Sequence, residues 1–114
     1  MPADAIHAED YRDNTSPHRR IGWTPESVDL HVNLVHLRAG EAIAEHVNAS
    51  LDVLLTCLDG SGTLVVDGNN IPLAAGSVAL IAKGSTRGVV AGEDGIRYTT
   101  CHGKRGGIMP APAR

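Results

Sequence analysis

Phenylalanine is absent from this 114-residue chain, and aromatic residues of every kind make up 3% of it. Tyr11, Trp23 and Tyr98 are the whole set. Any core must therefore be aliphatic, and a base-stacking nucleic-acid platform, which needs several aromatic faces, is not expected. A basic surplus is missing too. Lys and Arg number 10 against 13 Asp and Glu, for a formal net charge of -3. The local basic pairs, Arg19-Arg20 and Lys104-Arg105, fall in the expected tails and read as solvated ends, so no nucleic-acid partner is expected. No apolar run is long enough for a transmembrane helix, and MPADAIHAEDYRDN lacks the apolar middle of a signal peptide. The expectation is a cytoplasmic protein without a membrane partner. Cysteine is scarce: Cys57 and Cys101 stand far apart, outside any CxxC arrangement, and read as reduced, buried thiols. Without a secretion signal, the glycosylation patterns at Asn14-Thr15-Ser16 and Asn48-Ala49-Ser50 carry little meaning.

What is present describes an ordinary globular domain: 42% hydrophobic and 20% charged residues, with a mean hydropathy of -0.07. Residues 1–27 are read as a polar N-terminal arm, 28–102 as the folded unit and 103–114 as a tail. Asp29 to Leu37 alternates apolar and polar residues, the mark of a half-buried strand. Leu51 to Leu58 is an apolar run too short for a typical helix. Asp59-Gly60-Ser61-Gly62 is expected to close it as a turn. Thr63 to Val66 is rich in β-branched residues, and Asp67-Gly68-Asn69-Asn70 is a strong hairpin signal. Val78–Ile81, Val89-Val90 and Ile96–His102 complete the strands, with turns expected at Lys83-Gly84 and Gly92-Glu93-Asp94-Gly95. Thr24-Pro25-Glu26-Ser27 could cap a single helical turn. Many short strands with regular turn signals indicate an all-β sandwich or barrel.

Gly40 is followed by five residues, His46, one residue and Asn48; six residues separate Val53, beside Asp52, from Gly60. Further on, Gly76 is followed by five residues, Ala82-Lys83-Gly84, two residues, Arg87, three residues and Ala91. This spacing resembles the two motifs of the cupin family, specifically a small single-domain cupin of the RmlC-like superfamily. The resemblance covers the chain from about Val32 to His102. It implies a double-stranded β-helix, or jelly-roll barrel, with an internal pocket. In metal-binding cupins two His and a Glu of the first motif and a His of the second hold a divalent metal. Here those positions are His46, Asn48, Val53 and Arg87, so the metal-ligand set is degenerate. Val cannot coordinate a metal, and Arg carries a permanent positive charge where a lone pair is needed.

His46 could serve as acid, base or hydrogen-bond donor, although a lone His is more often structural. Asn48 could contact a ligand or cap a loop. Arg87, at the position of the family's inward His, needs an anionic partner if it is enclosed by apolar walls. Asp52 could supply that charge, or a ligand carboxylate or phosphate could. Tyr98, Thr100 and His102 share one face of the last strand, and Arg97, Thr99 and Cys101 the other. If the first face looks inward, Tyr98 and His102 join the pocket. His46, His102 and His36, which lies across the Gly40 turn from His46, are the candidates for a rebuilt metal site. His31 and His36 are an odd number of residues apart and cannot form a ligand pair on one regular strand.

The leading expectation is a small-molecule-binding barrel without the usual cupin metal or any other cofactor. Its ligand site would comprise His46, Asn48, Asp52, Arg87, Tyr98 and His102. The alternative is a metal-dependent oxygenase, isomerase or lyase using Zn, Fe, Mn or Ni at an atypical His site. A third possibility is an occluded structural domain in which Arg87 pairs with Asp52. The resemblance also implies a homodimer. Cupin pockets often grip flat substrates between aromatic walls; with so few rings here, a small polar or anionic ligand is expected instead.

Overall fold

The computed structural model describes residues 5–6 and 21–104. The rest of the arm, with Tyr11, Asn14 and Arg19-Arg20, and the tail from Arg105 onward lie outside the described residues. Seven strands follow one another: β1 Ile21–Trp23, β2 Leu30–Leu37, β3 Ala42–Val47, β4 Val53–Val66, β5 Asn69–Ala74, β6 Val78–Ile81 and β7 Thr86–Gly103. Every pairing is antiparallel. There is no helix among the described residues. The turn expected at Thr24–Ser27 is irregular instead. Thr24 Oγ1 donates to Asn33 Oδ1, and Ser27 Oγ accepts the Leu30 N–H at 3.0 Å, so both hydroxyls serve β2 rather than a helix start.

The two long strands build the architecture. The first half of β4 pairs with β6 and with the second half of β7, which also pairs with β2. The second half of β4 pairs with β5 and with the first half of β7, which also pairs with β3. Two layers result, β1-β2-β7-β4-β6 and β3-β7-β4-β5, which share bent strands. Val35, Leu37, Leu55, Cys57, Ile81, Ile96 and Tyr98 from one layer meet Leu64, Leu73, Val89 and Ala91 from the other in a single aliphatic core. Tyr98 is its one aromatic member, as the composition requires.

The bends correct two expectations. Asp59–Gly62 and Gly92–Gly95 are not turns that end strands; each is a kink within a continuous strand. The pairing shifts at Cys57/Asp59 and Gly60/Gly62, and the inward positions change from 53, 55 and 57 to 64. Gly60 sits at φ 78°, and a Cβ there would lie 2.2 Å from the carbonyl oxygen of Gly95, itself at φ 74°. Only glycine permits two backbones to cross so closely. By contrast, Asp67-Gly68 forms the expected two-residue hairpin loop, with both residues at positive φ and Val66 facing Asn69. Pro72 is tolerated because β5 is an edge strand. The sequence reading missed β3, an edge strand exposed along most of its length. It also left Ile21–Trp23 in the arm, whereas these residues pair with β2.

Candidate functional site

A cavity of about 400 Å³ opens between the two layers. Its apolar wall includes Val53, Leu55, Leu64, Ile81 and Val89. Its polar groups are His46, Asn48, Arg87, Tyr98, Thr100 and His102. Five of the six residues predicted for the ligand site therefore line one space. They get there by strand parity. Arg87, Val89 and Ala91 are buried at alternate positions of β7, and His46 is the cross-strand partner of Arg87 on β3. Beyond the bend, Ile96, Tyr98, Thr100 and His102 alternate inward from the opposite layer.

Arg87 is 5% exposed. Its Nε–H donates to Ser85 O and an Nη2–H donates to Ala82 O, each at 3.0 Å. The turn that presents these carbonyls closes with Ser85 N–H on Ala82 O at 3.2 Å and carries Gly84 at φ 85°, a conformation glycine supplies without strain. Two outside bonds hold it: Gly84 N–H donates to Asn48 O at 2.7 Å, and Lys83 N–H donates to Asp52 Oδ1 at 2.9 Å.

Asp52 is thus exposed, outside the cavity wall, and engaged with backbone. The Arg87–Asp52 pair does not form, because the carboxylate clamps the turn beside the arginine instead. Among the described residues, Arg87 has no carboxylate within ion-pair distance. It is a buried cation whose hydrogen-bond partners among the described residues are neutral carbonyls.

The loop-capping role weighed for Asn48 is present: its Oδ1 accepts the Ser50 and Leu51 N–H groups, both at 3.1 Å. Its amide nitrogen remains as a donor. His46 Nδ1–H donates to Ala44 O at 3.0 Å, and His102 Nδ1–H to Gly103 O at 2.9 Å. The His102 ring also stacks on His31, its cross-strand partner on β2, with centroids 5.0 Å apart and an interplanar angle of 23°. His31 and Asn33 were not among the predicted site residues. The signal available was parity, since both share the inward face of β2 with Val35 and Leu37.

His36 does not join this site. It faces the other side of β2, opposite Arg97, in a separate polar depression with Asp59 and Asp94. Burial, together with the Arg97 and Arg38 charges, holds its imidazole below the ordinary value of 6.5. Burial pushes the Cys57 thiol up, which suits an inert core residue rather than a nucleophile.

No family model matches the chain, and no curated protein matches it. Solved structures do. A cupin protein from Bacteroides fragilis is 27% identical, with 74% of this chain and 73% of that one covered and a TM-score of 0.63. A double-stranded β-helix protein from Klebsiella pneumoniae is 21% identical over 89% of this chain and 90% of that one, with a TM-score of 0.72. A sugar phosphate isomerase of the cupin superfamily from Silicibacter pomeroyi is 21% identical over 67% of this chain and 51% of that one, at a TM-score of 0.62. The fold is that of a small cupin-superfamily domain.

Against this fold, the residues present do not fit the metal that metal-binding cupins hold. Of the four motif positions, Val53 is 7% exposed in the apolar core, the Asn48 side-chain oxygen is taken by two backbone N–H groups, and Arg87 brings a cation. Among the described residues no group of three His, Cys, Asp or Glu is placed to hold a metal. His46 and His102 line the cavity without a third such ligand, since His36 is elsewhere. No helix among the described residues is long and apolar enough to cross a membrane.

Proposed function

We propose that this cupin barrel binds a small organic anion, with Arg87 as the residue that recognises its carboxylate or phosphate. The supporting observation is the state of Arg87: nearly fully buried, on the cavity wall, and without a carboxylate partner among the described residues. A buried guanidinium is costly unless a counter-charge completes its bonding. A planar oxyanion meets it in a charge-assisted, directional contact. The apolar wall accommodates a short carbon skeleton, and the near-absence of rings disfavours flat aromatic ligands. Recognition here needs no metal at the family's motif positions.

Thermal denaturation with a panel of small organic acids and phosphates tests this reading. At a hundred times Kd a ligand adds about 2.7 kcal/mol of stability, a rise of roughly 10 °C or more for a domain of this size. The rise should vanish in Arg87→Met. A panel without effect on the wild type, or a rise kept in Arg87→Met, removes the basis of the proposal.

The competing reading, a metal-dependent enzyme, draws support from one feature. His46 and His102 each give Nδ1–H to a backbone carbonyl, the arrangement that orients metal-binding imidazoles. Elemental analysis of untagged protein decides: stoichiometric Zn, Fe, Mn or Ni that disappears in His46→Ala would favour the enzyme.

We also propose a cytoplasmic homodimer. Cys57 and Cys101 are free thiols, consistent with a reducing compartment. Leu54, Val78 and Leu80 expose apolar side chains on the outer face of β4 and β6. Light scattering at 11.9 kDa in dilute solution would count against the dimer.

A further inference from the structure

Donors and acceptors are unevenly distributed over the cavity wall. Arg87 offers N–H groups and a positive charge, and Asn48 offers its amide N–H, its oxygen being spent on the loop. The two imidazoles offer the opposite. Their Nδ1 atoms face carbonyl oxygens, which can only accept, so Nδ1 must carry the proton. In the neutral ring Nε2 is then a lone pair. Neither Nε2 has a partner among the described residues. One of these acceptors, on His46, belongs to the cross-strand neighbour of Arg87; the other, on His102, belongs to the facing layer.

The His102 acceptor is held in place. Its ring lies against His31 at 5.0 Å. Asn33 donates an amide N–H to His31 Nε2 at 3.2 Å, and Thr24 Oγ1 donates to Asn33 Oδ1. This chain of hydrogen bonds fixes the ring beneath His102, so little side-chain freedom is left to lose on binding. His31 and Asn33 are positioning residues: neither lines the cavity.

Building on the anion reading above, we propose that the ligand is a short hydroxylated acid. Its carboxylate or phosphate meets Arg87, and hydroxyl groups on its carbon chain donate to Nε2 of His46 and of His102. A simple acid satisfies the guanidinium and leaves both acceptors unmatched. A dicarboxylate turns a second anion toward imidazole lone pairs. Inorganic phosphate leaves the apolar wall empty. A hydroxylated acid satisfies charge, acceptors and wall together. Sites built to bind a hydroxyl discriminate against analogues that lack it, most strongly where the acceptor is withdrawn from water; His102 is half-buried and His46 exposed, so the His102 acceptor carries most of the discrimination.

Calorimetry on the intact protein tests this with glycerate, propionate, malonate, glycerol phosphate and inorganic phosphate. Glycerate is expected to bind at least tenfold tighter than propionate, and malonate no tighter than propionate. The comparison of glycerol phosphate with glycerate then assigns the anionic head. His102→Phe keeps a ring against His31 and removes the acceptor; it should shrink the glycerate preference over propionate to under threefold. His31→Phe should retain the preference and His31→Ala should lower it, a pattern that a loss of folding alone does not produce. Equal binding of glycerate and propionate by the wild type, with both lost in Arg87→Met, overturns this inference and leaves the anion reading standing. A glycerate preference that survives both His102→Phe and His46→Phe overturns it as well. No binding of any of the five probes overturns both.

Discussion

Arg87 and Arg97 are ten residues apart on one strand, and both are buried, at 5% and 9% exposure. A regular strand would put them on the same face, because ten is an even number. They face opposite ways because β7 bends at Gly92–Gly95 between them. Arg97 lies on the outer face, between His36 and Asp59 in the pairing, and forms an ion pair with Asp59. Arg87 lies on the cavity wall, and its hydrogen bonds among the described residues go to carbonyl oxygens. One guanidinium is paired with a carboxylate; the other has none within ion-pair distance among the described residues. Burial and residue type are alike, so only the partner separates the ion-paired Arg97 from Arg87, the residue proposed for recognition.

The most drastic way to break this contrast is at the crossing of the bends. In Gly60→Ala the new Cβ would stand 2.2 Å from the Gly95 carbonyl oxygen, at a φ of 78°. Both obstacles are backbone, so neither side chain rotation nor repacking relieves them. The expected loss is on the order of 3–5 kcal/mol, read from chemical denaturation, and for a small domain that approaches the whole stability. A loss below about 1 kcal/mol would mean that the glycine crossing does not set the two faces.

The crossing also marks where the sequence was informative and where it was not. The spacing from Gly40 to Ala91 named His46, Asn48 and Arg87 correctly as neighbours, and strand parity added Tyr98 and His102. The first set is what the resemblance to the cupin motifs implies; the second is a local regularity that periodicity carries. Asp59–Gly62 and Gly92–Gly95 looked like turns because turn and bend demand the same residue, one with positive φ and no Cβ. Whether the chain reverses or merely kinks depends on the strand lying across it, which no local pattern contains. Asp52 and His36 failed for a related reason. Proximity in sequence suggested the cavity, yet Asp52 is drawn to the Lys83 N–H and His36 sits on the outward parity of β2. The His31–Asn33 support was legible in parity alone, but the stacking on His102 needs the β2–β7 register, a long-range fact.

Next in size is the ion pair. Asp59→Ala removes the carboxylate from a buried guanidinium and the acceptor of the Gly60 N–H. The Arg97 Nε is already buried without a partner among the described residues, so the group has little alternative bonding there. A loss of about 1–3 kcal/mol is expected, at the lower end because Asp59 itself is half-exposed. Organic-acid binding should persist after correction for stability. Failure to bind would mean that the two arginines are coupled rather than separate in role.

Arg87→Met supplies the counterpart. Replacing a buried, carbonyl-bonded cation by an apolar side chain of similar length relieves desolvation while it gives up two hydrogen bonds. The net change is expected within about 1 kcal/mol. The stabilisation by organic acids should disappear entirely. A protein that keeps its melting temperature and loses its ligand response is the signature of a residue retained for recognition. A loss as large as that of Asp59→Ala would instead place Arg87 beside Arg97 as a structural cation.

The smallest expected effect separates the two faces by pH. Burial and the nearby Arg97 and Arg38 charges hold His36 below the ordinary imidazole value of 6.5 in the folded chain. Between the folded and unfolded values the unfolded chain binds the proton and the folded chain does not, so stability rises with pH there. Lowering the pH from about 7.5 through 6.5 and beyond should therefore lower the melting temperature, because folding forces His36 to stay neutral or to charge beside two guanidinium groups. His36→Gln should flatten that part of the profile and leave the glycerate response at neutral pH unchanged, since His36 lies on the outer face with Arg97. An unchanged slope in His36→Gln would assign the acid sensitivity to other groups. A changed glycerate response would show that the outer depression and the cavity communicate through β7.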